Sequence, residues 1–278
     1  MAKNYTLLSP DKRSILQISD LGAQILSYRI NNEPIFYENQ FNQRRCGMPI
    51  LFPFAGPLQD NTLTLTKTKL PQHGFGRDVQ WQIYQTLEKE EYNILSFALS
   101  YSDLPEIWQN NFPFPFITMV HYYLSNSSLD VDLVVMNPLQ EDLQIPVRPG
   151  LHPYFFSSMQ EKKTLKVSHN QALINKIDWH NIKEPIFINP NKNGFKFILN
   201  NNKISMTIKE RIFRLSEELS EIELDTNNKI VLWSEPDSDF LCIEPISGPF
   251  NSINYNPILV QKGQGYQFRF KLEIELDK

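Results

Sequence analysis

Short runs of alternating apolar and polar residues, broken by Asn, Asp, Pro and Gly, recur along the whole chain. A period of two marks half-buried β-strands. Ser14–Ile18 and Ala23–Ile30 read as an opening strand pair, with Asn31-Asn32 as a turn. Asn93–Leu99, Phe116–Leu124 and Leu129–Met136 follow, then Lys229–Trp233, Phe240–Glu244 and Tyr266–Leu272. One short helix is expected at Pro105-Glu106-Ile107-Trp108, with Asp103 as its cap and Pro in its first turn. Ile208, Ile212, Leu215, Leu219 and Ile222 recur at helical spacing, but their flanks alternate, so that region is read as strand-rich. The pattern predicts an all-β fold, a large antiparallel β-sandwich with few short helices, as a single domain over 1–278.

Composition fits that picture and narrows the function. The chain is 41% hydrophobic, and its 19 Phe and 11 Tyr suffice for a continuous core. Its net charge is only −4, with acids and bases interspersed, so there is no basic stripe of the kind nucleic acid requires. No apolar run approaches the roughly 20 residues that span a bilayer. Met1–Leu8 lacks the apolar core of a secretory leader, and the pattern breaks at Pro10. The two cysteines, Cys46 and Cys242, have no zinc-type spacing and are too few for a disulfide framework. Both are expected to be small buried hydrophobes. A cytoplasmic protein without metal or cofactor is the expectation; oligomeric state is not legible.

Four stretches offer chemistry. In Arg148-Pro149-Gly150-Leu151-His152-Pro153-Tyr154-Phe155 two prolines stiffen the backbone around His152, which either transfers protons in a fixed geometry or fills a core corner. Gln72-His73-Gly74-Phe75-Gly76-Arg77 sets an imidazole and a guanidinium on a turn where glycine lets a ligand come close. In Phe240–Pro245, alternation puts Phe240, Cys242 and Glu244 on one face, so Glu244 shares apolar company at the strand end, where desolvation raises its basicity. Arg45-Cys46-Gly47-Met48-Pro49 brings a cation to a small-residue turn, Arg44 beside it being read as a surface charge.

Taken in order, these segments resemble the aldose 1-epimerase (mutarotase) family, most closely its hexose-6-phosphate epimerase-like bacterial branch. The blocks are the run from Arg45 to Pro53, His73–Arg77 followed by Trp81, Gly150–Phe155, Val231-Leu232-Trp233, and Glu244-Pro245 near Gly248. The resemblance implies a β-supersandwich and interconversion of the α and β anomers of an aldose. It implies His152 as general acid and Glu244 as general base, with Gln72, His73, Arg77 and Arg45 lining the sugar site. Three departures stand out. Gly76 replaces a usual alanine, a change expected to cost only loop rigidity. A substrate-binding aspartate is missing, with Glu184 its nearest equivalent. Ser234 stands where an asparagine often follows the tryptophan.

The expected partner is therefore a sugar or sugar phosphate. Two other readings use the same residues. A non-catalytic carbohydrate-binding protein would need the arginines and aromatics but no opposed acid and base. A glycoside hydrolase would need two carboxylates, for which only Glu184 and Glu244 offer themselves.

Overall fold

The computed structural model describes residues 2–39, 45–138, 143–191, 193–216, 221–224 and 228–276. Every strand pairing among them is antiparallel. The largest sheet runs in the order Lys166–Val167, Phe195–Leu199, Asn202–Arg214, Gln264–Glu275, Ser128–Met136, Ile117–Ser125, Tyr92–Ser100 and Gln82–Glu88. Glu221–Glu223 pairs onto the side of Asn202–Arg214. A second sheet has the order Ile186–Ile188, Lys229–Trp233, Phe240–Ile246, Gly150–Leu151 and Ile50–Leu51, with Tyr154–Phe156 also paired to Phe240–Ile246. Asn4–Leu8, Ser14–Ser19, Ile25–Ile30 and Glu33–Pro34 form a four-stranded meander.

The alternation explains how the two large sheets meet. On Gln264–Glu275, the alternate residues Tyr266, Phe268, Phe270, Leu272 and Ile274 are buried, while Arg269, Glu273 and Glu275 face water. On Phe240–Ile246, Leu241 and Ile243 join the same core, whereas Phe240 and Cys242 face the other way, into a separate cluster with Tyr154. The second sheet thus has one face in the sandwich core and one face free to build a site. Among the described residues, no helix is long and apolar enough to cross a membrane.

Several sequence expectations need correction. The opening pair is the middle of a meander that begins earlier, at Asn4–Leu8. Asn31 and Asn32 do turn the chain, both at positive φ, a conformation asparagine tolerates. The short helix spans Glu106–Asn111, and Asp103 does not cap it; its carboxylate accepts from the Ser100 backbone across a preceding 3-10 turn. The helix-spaced isoleucines lie on strands: Ile208 and Ile212 sit in Asn202–Arg214, opposite Phe270 and Tyr266. Leu219 and Arg44 fall outside the described residues. Phe240–Ile246 continues through Pro245, so Glu244 lies inside the strand.

Candidate active site

Strand register brings the chemistry together. Gly150 opposes Ile246 and Tyr154 opposes Cys242 on the same neighbouring strand. Counting inward from both pairs places His152 opposite Glu244. The two side chains therefore project from one face as cross-strand neighbours, and His152 Nε2 stands 3.3 Å from Glu244 Oε1. Pro149 and Pro153 interrupt the ladder here. The His152 amide donates instead to Pro49 O at 3.0 Å, and that of Tyr154 to Gly47 O at 2.8 Å. The Arg45 turn is thereby stitched along the outer side of the histidine. On the far side Trp233 opposes Cys242, and Ile186 opposes Leu232, which carries Pro185 level with Trp233.

The result is a cleft of about 360 Å³ lined by Arg45, Gln72, His73, Arg77, His152, Tyr154, Pro185, Trp233, Glu244 and Phe250. Six of the seven residues named from the sequence are in it. Glu184 is not: it is exposed on the approach to Ile186–Ile188, and Pro185 beside it takes the place in the lining. Both residues precede the strand, Glu184 in a bend, so the alternation of Ile186–Ile188 does not extend to them. Tyr154, Pro185 and Phe250 were not singled out. Tyr154 was legible from period two, since it shares a face with His152. Phe250 had no local signal: its ring lies where a side chain on Gly56 would be, 2.1 Å from that position.

The His73 turn is built on glycine. His73 and Gly74 are both at positive φ, 71° and 69°. A Cβ on Gly74 would stand 2.2 Å from Phe52 O. That oxygen accepts from both the Phe75 and Gly76 amides at 2.9 Å. Gly74→Ala is expected to destabilise the protein by at least about 1–3 kcal/mol, read as a lowered urea midpoint, because both the steric clash and the left-handed backbone penalise a side chain. Gly76 is also tight, with a Cβ placed 2.8 Å from Phe52 Cβ. Its departure from alanine thus reflects close packing against Phe52, beyond a change in loop rigidity.

Hydrogen bonding fixes the state of His73. The Gly56 amide donates to His73 Nδ1 at 3.0 Å, so the neutral ring carries its hydrogen on Nε2. The Gln72 side-chain amide lies 3.1 Å from that nitrogen. Burial, then the nearby His152 and Arg77, hold His73 well below the usual histidine range and keep it neutral. That Nε2–H donates at the cleft wall, where the Gln72 amide accepts it with its oxygen turned toward the ring. Its ring meets that of His152 edge to face, with centroids 5.5 Å apart, while His152 stacks on Tyr154 at 4.5 Å.

His152 and Glu244 are 6% and 3% exposed. Burial, with Arg77 adding to it, lowers the His152 pKa to about 3. Burial raises that of Glu244 to about 8, with Arg77 opposing. Desolvation thus disfavours charge on both, and the pair holds one proton across the neutral range.

The two other arginines differ in role. Arg45 forms an ion pair with Glu235 at the cleft margin. Arg148, from the stiff histidine stretch, is structural: it donates to Asn256 O and Ser247 O, both at 2.7 Å, bracing the loop after Glu244. Ser234 turns inward, its hydroxyl donating to Phe240 O at 2.8 Å, and so closes the hairpin beyond Trp233.

The architecture is shared with several solved structures. The Slr1438 protein from Synechocystis sp. PCC 6803 aligns over 99% of this chain and 96% of its own, with a TM-score of 0.79 and 23% identity. A galactose mutarotase related enzyme from Lactobacillus acidophilus aligns over 99% and 98%, at 0.75 and 20%. Galactose 1-epimerase from Lactobacillus acidophilus NCFM aligns over 99% and 98%, at 0.72 and 12%. No curated protein sequence matches the chain. The aldose 1-epimerase family pattern matches residues 4–273, and the chain belongs to that family.

Proposed function

We propose that the protein is an aldose 1-epimerase that interconverts the α and β anomers of an aldose or hexose 6-phosphate, with His152 as acid and Glu244 as base. The observation that supports this reading most is the buried pair 3.3 Å apart at the floor of the cleft. Opening a hemiacetal requires a proton on the ring oxygen and removal of one from the anomeric hydroxyl. Both oxygens are bonded to the same carbon, so an acid and a base serving them must converge closely. A hydrolytic pair of carboxylates would stand about 5–9.5 Å apart, and Glu244 is the one carboxylate in the lining among the described residues.

The pair needs one proton in total. With His152 protonated and Glu244 ionised, His152 protonates the ring oxygen while Glu244 takes the hydroxyl proton, and the C1–ring-oxygen bond breaks. The aldehyde is then bound between neutral imidazole and carboxylic acid, the form that desolvation favours in the empty cleft. Rotation about C1–C2 presents the other face, and closure returns the proton to His152. His73 Nε2–H donates to a sugar oxygen, Arg77 and Gln72 hold hydroxyls or a phosphate, and Trp233 offers an apolar face to the ring.

Polarimetry or anomer-exchange NMR on free and phosphorylated aldoses tests the proposal. Exchange at the spontaneous rate for every sugar, with sugar still bound, would replace it by the non-catalytic binding reading. Catalytic efficiency is expected to be level through neutral pH. It falls about tenfold per unit once the pair loses its proton, as pH rises through about 8. If Arg77 grips a phosphate, Arg77→Ala loses selectively on the hexose 6-phosphate; equal losses on glucose and glucose 6-phosphate assign it to hydroxyls.

A further inference from the structure

Behind the sugar cleft lies a third chemically distinctive atom. The Sγ of Cys242, a ring nitrogen of His152 and a carboxylate oxygen of Glu244 all lie within 4.8 Å of one another. The register that sets His152 against Glu244 also sets Cys242 against Tyr154, one alternation further along the same strand face. All three residues are more than nine-tenths buried. Among the described residues, Glu244 Oε2 and His152 Nδ1 have no hydrogen-bond partner, so the carboxyl group keeps an unsatisfied buried oxygen. Such a buried orphan calls for a reason.

We propose that His152, Cys242 and Glu244 form a three-ligand site for a thiophilic divalent cation, Zn²⁺ or Cd²⁺, whose open position faces the sugar cleft and whose occupancy blocks the acid–base pair. An imidazole, a thiolate and a carboxylate are the ligand types such ions take. Ligand atoms bonded at roughly 2.0–2.3 Å around a tetrahedral ion stand roughly 3.3–3.8 Å apart. The His152–Glu244 distance of 3.3 Å is already in that range. No pair of ligand atoms is more than 4.8 Å apart, so binding draws the widest pair together by about 1 Å. Charge also balances: the cation displaces one proton from the thiol and the one held by the pair, both leaving to water, so two positive charges replace two. The buried site gains no net charge. The cleft supplies the fourth position, where sugar and metal then compete. Blocking of activity rests on the catalytic reading above; metal binding does not.

The test is titration of chelator-stripped protein with Cd²⁺, following the ultraviolet thiolate-to-cadmium charge-transfer absorption and the bound stoichiometry. One ion per chain is expected. Cys242→Ser abolishes the absorption and weakens binding on the order of 100-fold or more, while Cys46→Ser leaves both unchanged. His152→Ala and Glu244→Gln, neither of which leaves a new buried charge, each weaken binding at least about tenfold. Circular dichroism checks that each variant is folded. No absorption in wild type, loss of it in Cys46→Ser, or binding indifferent to His152→Ala and Glu244→Gln would overturn the site. Metal binding without inhibition, in a protein shown to catalyse anomer exchange, would overturn the block alone.

Discussion

Glu244→Gln and His152→Ala each lower the catalysed rate of anomer exchange by on the order of 10²-fold or more, and the double variant loses little beyond either single one. The near-equality follows from the geometry. The side chains stand 3.3 Å apart on paired strands, and in the proposed reaction they act on two oxygens of one carbon. Removing either leaves a proton that has been given but not taken, or the reverse. Glutamine keeps the volume and the strand position of Glu244, so a loss there reports chemistry rather than collapse. The measurement is anomer-exchange NMR with the spontaneous rate subtracted and chelator present. Sugar binding is followed separately, and is expected to survive in Glu244→Gln because His73, Gln72 and Arg77 remain. Additive losses, or a Glu244→Gln variant within a few-fold of wild type, would show that the two groups do not form one proton-transfer unit.

How much of this was legible beforehand depends on whether the signal was local. Period-two alternation located Lys229–Trp233 to the residue and placed Phe240, Cys242 and Glu244 on one face, because a strand's facing is decided by its neighbours in sequence. Alternation does not say which strands pair. The approach of His152 to Glu244 is a register fact, set by pairs 96 and 88 residues apart in sequence at Gly150–Ile246 and Tyr154–Cys242. Family resemblance supplied it where the pattern did not. The gathering of Cys242 with that pair was missed for the same reason, since no ligand spacing is visible along the chain. Asp103 accepts from the Ser100 amide within its own 3-10 turn, and the helix begins after Pro105 without a side-chain cap. Glu184 lies outside the lining, exposed in a bend before Ile186–Ile188, because the resemblance specified an acid nearby but not the path of the bend that carries it.

Burial of the pair also has a cost in stability that pH exposes. The folded Glu244 carboxyl holds its proton to about 8, whereas the unfolded chain releases it near 4.5. Between those values the native state binds a proton that the unfolded state has lost, so this group makes stability fall as pH rises. His152 acts in the opposite sense at lower pH. Its folded value of about 3 lies below the unfolded 6.5, so stability rises with pH across that interval. From about 4.5 to 6.5 the unfolded pair also holds one proton, on the imidazole, and the two slopes cancel. Wild-type stability is thus expected to climb up to about pH 4.5, run level, and decline from about 6.5 to 8. Glu244→Gln removes the carboxyl and with it the alkaline decline. Its melting temperature should match wild type below about pH 4 and exceed it by on the order of 5 °C at pH 9, a gain of a few kcal/mol in a chain of this size. Calorimetry across that range decides. A gap that is constant with pH, or that opens on the acid side, would mean that the fold does not hold the Glu244 carboxyl in its protonated, desolvated form.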